Sequence, residues 1–222
     1  MMELSATKIA PGCIVAAEPK VAPDRFLYVD TETTDKVPGQ IAQLAVIAAD
    51  AEGKVESARN FFFSVGSMSP GAEAIHHLSP AVLQGLSQGR AFGDCLYDLA
   101  MLFFAGHTFT AHNAAFDLRF VRAEFARHQV DYTPKTLCTM KAMTPICRLP
   151  GLYKGTYKWP RVEEALRWLK IAPETVLERA RCLFHVDPVL AGAGCSFGFH
   201  DARFDVTAVM LIHQWLRENR KC

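Results

Sequence analysis

The sequence predicts an α/β domain in which a mixed sheet is flanked by helices. Two observations carry that expectation. Apolar, β-prone segments crowd the first part of the chain, at residues 26–30, 40–49 and 59–65, whereas helical periodicity dominates from residue 79 onward. One short strand-like segment, 108–111, falls between two helical stretches, so a helix separates the later strands.

Taken in order, residues 26–30 (Phe-Leu-Tyr-Val-Asp) read as a buried strand and 40–49 as a second. Asp50 and Gly53 supply turn chemistry before a third strand at 59–65, giving an antiparallel meander. Ser79 and Pro80 can cap and open a short helix. Over 91–104, Phe92, Leu96, Leu99, Leu102 and Phe103 share one helical side. After the strand at 108–111, Asn113 is placed to cap a helix reaching about residue 128. A helix over 136–143 should stop before Pro145, and one over 161–169 turns Leu166 and Leu169 inward. Asp201 caps the last helix, which runs to about residue 218.

Half of the 222 residues are apolar, enough for one sizeable core. The expected division is an N-terminal arm, 1–24, carrying Pro11, Pro19 and Pro23, and a single domain, 25–222. A net charge of +1 gives no global field for a polyanion, so attraction to phosphate must be local. Seven cysteines, an odd count without Cys-x-x-Cys, argue against a zinc site or a disulfide framework. With no basic start followed by a long apolar run, a cytoplasmic location and no membrane partner are expected.

Five residues concentrate the chemistry. Asp30 and Glu32 stand in Phe-Leu-Tyr-Val-Asp-Thr-Glu-Thr-Thr, and strand alternation puts both on one face. Two carboxylates there repel unless a cation lies between them. Asp117 closes Ala-His-Asn-Ala-Ala-Phe-Asp, and His200 and Asp205 lie in Phe-His-Asp-Ala-Arg-Phe-Asp. Singly, an aspartate in a first helical turn is usually a partner of the helix dipole, and a lone histidine is usually structural. Together, a cluster of hard oxygen donors points to Mg²⁺ or Mn²⁺.

In this order and spacing, Asp-x-Glu-Thr-Thr, His-Asn-Ala-Ala-Phe-Asp and His-x-x-x-x-Asp resemble the three exonuclease motifs of the DEDD superfamily, in its histidine subtype. That subtype (DEDDh) includes the proofreading epsilon subunit of bacterial DNA polymerase III, RNase T and oligoribonuclease-like enzymes. Ile75-His76-His77-Leu78 resembles the family's segment that touches the terminal nucleotide. The resemblance runs from about residue 25 to 217. It implies a ribonuclease H-like fold with a mixed five-stranded sheet. It implies a 3′-5′ exonuclease that hydrolyses phosphodiester bonds and releases nucleoside 5′-monophosphates. Asp30, Glu32, Asp117 and Asp205 would hold two Mg²⁺ or Mn²⁺ ions, with Asp30 bridging both, and His200 would be the general base. Thr33, Gln43, Ile75, His76, His77, Asn113 and Phe116 would meet the substrate. Gln43 departs from the family, which usually has an acid there, and His77 stands where many members have glycine.

Single-stranded DNA 3′ ends, as in proofreading or repair, are the expected substrate. RNA trimming is the alternative, and a nucleic-acid-binding module without turnover is the alternative of another class. Many relatives are homodimers, so a homodimer is a further expectation. With 17 residues after Asp205, no polymerase-tethering tail is expected.

Residues 135–170 hold eight basic residues against Glu163 and Glu164, with Tyr153, Tyr157, Trp159 and Trp168 interleaved. Basic residues with aromatics suit a single strand, through phosphate attraction and base stacking. Trp168, beside Leu169, fits a core position, whereas the stretch 152–159, with Gly151 before it and Gly155 within, reads as a substrate-contacting loop.

Overall fold

A computed structural model describes residues 24–186 and 197–219 of the chain. The expected arm lies outside the described residues, apart from Asp24. Strands β1 (Phe26–Thr33), β2 (Ile41–Ala49) and β3 (Val55–Phe62) form the antiparallel meander. Strands β4 (Thr108–Ala111) and β5 (Thr136–Cys138) join it in parallel, giving the order β3-β2-β1-β4-β5. The mixed five-stranded sheet flanked by helices is therefore the architecture observed.

β1 is central, and its alternation sorts the layers. Leu27 and Val29 pack under Phe92, Leu99 and Phe103, from a 3-10 turn (Phe92–Cys95) and helix α3 (Leu96–Phe103). Phe120, Val121 and Phe125 of α4 (Ala114–Arg127) complete that face. Phe26 and Tyr28 meet Val206, Val209 and Met210 of α8 (Ala202–Asn219) on the other face. The outer side of α8 seats α5 (Thr139–Cys147), α6 (Val162–Leu169) and α7 (Pro173–Phe184) through Met143, Leu166, Val176 and Ile212. Helices α1 (Pro70–His76) and α2 (Pro80–Ser87) lie by the start of β2, where Leu78 and Leu83 pack on Ala42 and Val65. Because Asp30 and Glu32 continue the alternation of Phe26 and Tyr28, they emerge on the α8 side.

Several expected elements shift, each for a physical reason. The third strand starts at Val55 rather than at residue 59. Asp50 Oδ1 accepts from the Lys54 amide at 2.8 Å, Gly53 takes φ +89°, and pairing begins as soon as this turn closes. The helix expected over 136–143 is a short strand followed by α5, because residues 136–138 pair with the free edge of β4. Pro145 lies within α5 instead of ending it. The helix over 91–104 divides into the 3-10 turn and α3. Asn113 precedes α4 in a left-handed conformation (φ +69°), and its side chain makes no capping bond. Its carbonyl accepts from the Phe116 amide instead, and the left-handed turn takes the chain from β4 into α4. Asp201 does cap α8, accepting from the Arg203 amide at 3.0 Å. Two helices went unread although their signals are present: α1 follows Ser69-Pro70 and α7 opens on Pro173 with Glu174 in its first turn. No helix among the described residues is long and apolar enough to cross a membrane.

Candidate active site

The C-terminal end of β1 is the floor of the site. Asp30 keeps part of its surface open, and Glu32 is 9% exposed. Thr31 emerges on the opposite face, where its hydroxyl donates to Asp117 Oδ1 at 2.9 Å. That bond orients Asp117, in the first turn of α4. From the α8 side, Asp205 accepts the His200 amide on Oδ2 at 2.8 Å. His200 is exposed and left-handed (φ +67°), so the chain turns sharply just before α8. Asp30, Glu32, Asp117, His200 and Asp205 all line one cleft of about 470 Å³. Within it, donor atoms of Glu32, His200 and Asp205 lie within 4.8 Å of one another.

The cluster is electrostatically costly. Burial, followed by repulsion from Asp205, Asp117 and Glu32, holds the Asp30 carboxyl well above the usual carboxylate range. Burial and then Asp205 do the same to Glu32. Burial pushes Asp117 to about 7 against the opposing Thr31 hydroxyl bond. Burial likewise pushes Asp205 to about 7 against the His200 amide. Among the described residues, Lys and Arg make their ion pairs elsewhere and none reaches these four acids. Converging carboxylate oxygens and one imidazole, without a cationic side chain to balance them, fit a divalent cation.

The expected substrate residues divide. Thr33, Ile75 and Phe116 line a second cleft of about 520 Å³, which shares Thr31, Glu32 and Phe116 with the first. Ile75 is 47% exposed there, and Asn113 lines the carboxylate cleft. His76 borders the second cleft, yet both its ring nitrogens are engaged. Nδ1 accepts the Leu78 amide at 3.1 Å, so Nε2 donates to the Thr33 carbonyl at 3.2 Å. His76 therefore braces α1 against the end of β1. His77 lines neither cleft: it caps α1 with φ +60°, which explains why glycine suits the position.

Gln43 is corrected most sharply. It is 1% exposed and sits across the ladder from Glu32. Its amide donates to Asn60 Oδ1 at 2.9 Å and Asp201 Oδ1 at 3.1 Å, and its carbonyl accepts the Ala202 amide at 3.2 Å. A side chain so engaged is a clamp between β2 and the start of α8 rather than a substrate contact. Gln43→Glu replaces both donors by a charge facing Asp201. It should destabilise the fold by about 2–4 kcal/mol. Thermal melting measures this, and a variant that melts with the wild type refutes the clamp.

Sequence reasoning left His112 without a role. It lines the carboxylate cleft and joins Thr139 to Pro160 through its two ring nitrogens. Its signal was present, since it stands inside the motif that ends at Asp117. The basic stretch is partly absorbed by the fold: Lys135 pairs with Asp24, and Lys158 with Glu164. Trp168 packs edge-on against Trp215 of α8 at 5.6 Å but stays 43% exposed, so it lies at the edge of the core rather than within it. Trp159 instead lines the carboxylate cleft and is 63% exposed.

Residues 27–160 match the RNase T family model, described as exonuclease. Among curated proteins, none matches the chain at the sequence level. Solved structures of exonuclease I share the fold. Escherichia coli exonuclease I in complex with a 5cy-dT13 oligonucleotide is 19% identical, with a TM-score of 0.65, over 89% of this chain and 41% of that one. The same enzyme with a dA16 oligonucleotide is 18% identical, with a TM-score of 0.63, over 89% and 41%. A product-bound exonuclease I is 19% identical, with a TM-score of 0.65, over 88% and 43%. The chain thus spans about two fifths of the length of these structures.

Proposed function

The chain belongs to the RNase T exonuclease family, within the DEDD superfamily of 3′-5′ exonucleases, and from that premise we propose that it degrades single-stranded DNA from the 3′ end, releasing nucleoside 5′-monophosphates. The observation that carries the reading is the convergence of Asp30, Glu32, Asp117, His200 and Asp205 on one cleft that adjoins a second. The DNA oligonucleotides held by exonuclease I support the choice of a single strand.

Asp30, Glu32, Asp117 and Asp205 would hold two Mg²⁺ or Mn²⁺ ions. When bound, these ions supply positive charge against the attacking and leaving oxygens of an in-line displacement at phosphorus. The chain's own residues position and move protons. Ile75 and Phe116 take the terminal nucleoside in the second cleft, which sets its phosphate over the shared residues Thr31 and Glu32. Thr31 keeps Asp117 in a fixed orientation. His200 accepts the proton of the attacking water through a ring exposed to the cleft. The hydrogen bond from its backbone amide to Asp205 ties base and carboxylate into one unit.

Digestion of 3′-labelled and 5′-labelled DNA and RNA oligonucleotides with Mg²⁺ tests the reading. The expected result is immediate release of labelled mononucleotide from 3′-labelled DNA and a shortening ladder from 5′-labelled DNA. Release beginning at the 5′ end overturns the polarity, faster RNA digestion replaces the substrate, and binding without release in Mn²⁺ establishes a binding module. His200→Ala should slow single-turnover cleavage by about 10²–10⁴-fold while changing affinity little. A loss confined to binding refutes the base.

A further inference from the structure

The segment between α5 and α6 is a closed hairpin rather than a loose loop. Pro150 and Tyr157 form a bridge, the Lys158 amide donates to the Leu149 carbonyl at 3.0 Å, and the Gly151 amide donates to the Thr156 carbonyl at 2.9 Å. Both glycines are required. Gly155 takes φ +82°, and a Cβ on Gly151 would come within 2.3 Å of Thr156 Oγ1.

The base of the hairpin is tied to the site. The Pro160 carbonyl can only accept, so His112 donates to it from Nε2 at 2.9 Å, and Nδ1 then accepts the Thr139 hydroxyl at 3.0 Å. The imidazole thus fastens the residue after Trp159 to the end of β4. Trp159 is further restricted to extended backbone because proline follows it. A large ring carried on so constrained a backbone, 63% exposed at the rim of the carboxylate cleft, adds little to a core and is well placed for a ligand.

The two clefts meet at Thr31, Glu32 and Phe116. With the terminal nucleoside against Ile75 on one side, the next nucleotide continues on the other, where Trp159 and Arg161 line the wall. Resting on the exonuclease reading, we propose that Trp159 is the stacking platform for the base adjoining the terminal nucleotide. A base can lie on the indole only when it is unpaired, so the platform selects single strands. Arg161 beside it attracts the backbone phosphate.

The test compares Trp159→Ala and Trp159→Phe on two substrates: a single-stranded dT oligonucleotide, and the p-nitrophenyl ester of thymidine 5′-phosphate, which has no second base. Trp159→Ala should raise KM for the oligonucleotide roughly tenfold or more and raise KM for the ester less, with Trp159→Phe retaining most of the affinity. The wild type should show the same rise on an oligonucleotide abasic next to its terminal nucleotide, and Trp159→Ala should add nothing to it. Oligonucleotide quenching of tryptophan fluorescence in EDTA should shrink in Trp159→Phe. A wild-type KM for Trp159→Ala, an abasic unit without effect, or unchanged quenching overturns the platform. A wild type that hydrolyses neither substrate, yet is quenched through Trp159, overturns the exonuclease reading and leaves the platform standing.

Discussion

Asp30→Asn should reduce nucleotide release by roughly a thousandfold, the scale of losing a charge aimed at the transition state. The same substitution should raise the stability of the metal-free protein at neutral pH by about 1–2 kcal/mol. The two effects have one cause. Asp30 feels Asp205, Asp117 and Glu32 across the cleft, so its charge is unfavourable until cations arrive. Asparagine keeps the shape and removes the charge. Nucleotide release in Mg²⁺ and melting in EDTA measure the pair of effects. Activity near wild type sinks the site assignment, and a lower melting temperature in EDTA shows that the four acids are not in conflict.

The second large effect is on stability against pH without metal. Asp117 and Asp205 are pushed from an ordinary 3.8 to about 7 by burial. A carboxyl raised on folding binds protons more tightly in the native state than in the unfolded chain. Its favourable contribution is therefore complete below the unfolded value and is lost as pH rises through the folded one. In EDTA, wild-type stability should fall between about pH 4 and 7 relative to Asp205→Asn, by up to about 4 kcal/mol, and level off above pH 8. Mg²⁺ or Mn²⁺ should restore it by binding only the folded state, and should raise wild-type melting far more than that of Asp30→Asn. Melting curves from pH 4 to 9, with EDTA or metal, decide this. A gap between wild type and Asp205→Asn that stays constant over that range contradicts the coupling of this acid to folding.

The fold was legible where local chemistry and pairing agree. The run Phe-Leu-Tyr-Val before Asp30 marks a central strand buried on both faces, and β1 is that strand. Asp201 before an amphipathic stretch marks a cap, and α8 begins there. Reading failed where a partner decides. Residues 136–138 become a strand only because β4 offers an edge, and Val55 joins β3 only because the Asp50 turn sets the register.

The candidate site divides in the same way. Residue order is enough to show which acids and which histidine recur as in the exonuclease motifs, because those groups are few and their spacing is local. It also determined that Asp30 and Glu32 share a face, since alternation along a strand needs no tertiary information. What the surrounding polar side chains do depends on packing between elements distant in the chain. Gln43 and His76 look like substrate contacts in one dimension. They become internal braces because burial forces their polar atoms to find partners, and those partners come from β3, α8 and β1. The neighbours of Trp168 and Trp159 separate the two in the sequence, but not what each ring meets. One is taken up by Trp215 and the other is held open at the cleft by a hairpin and a histidine far away in the chain.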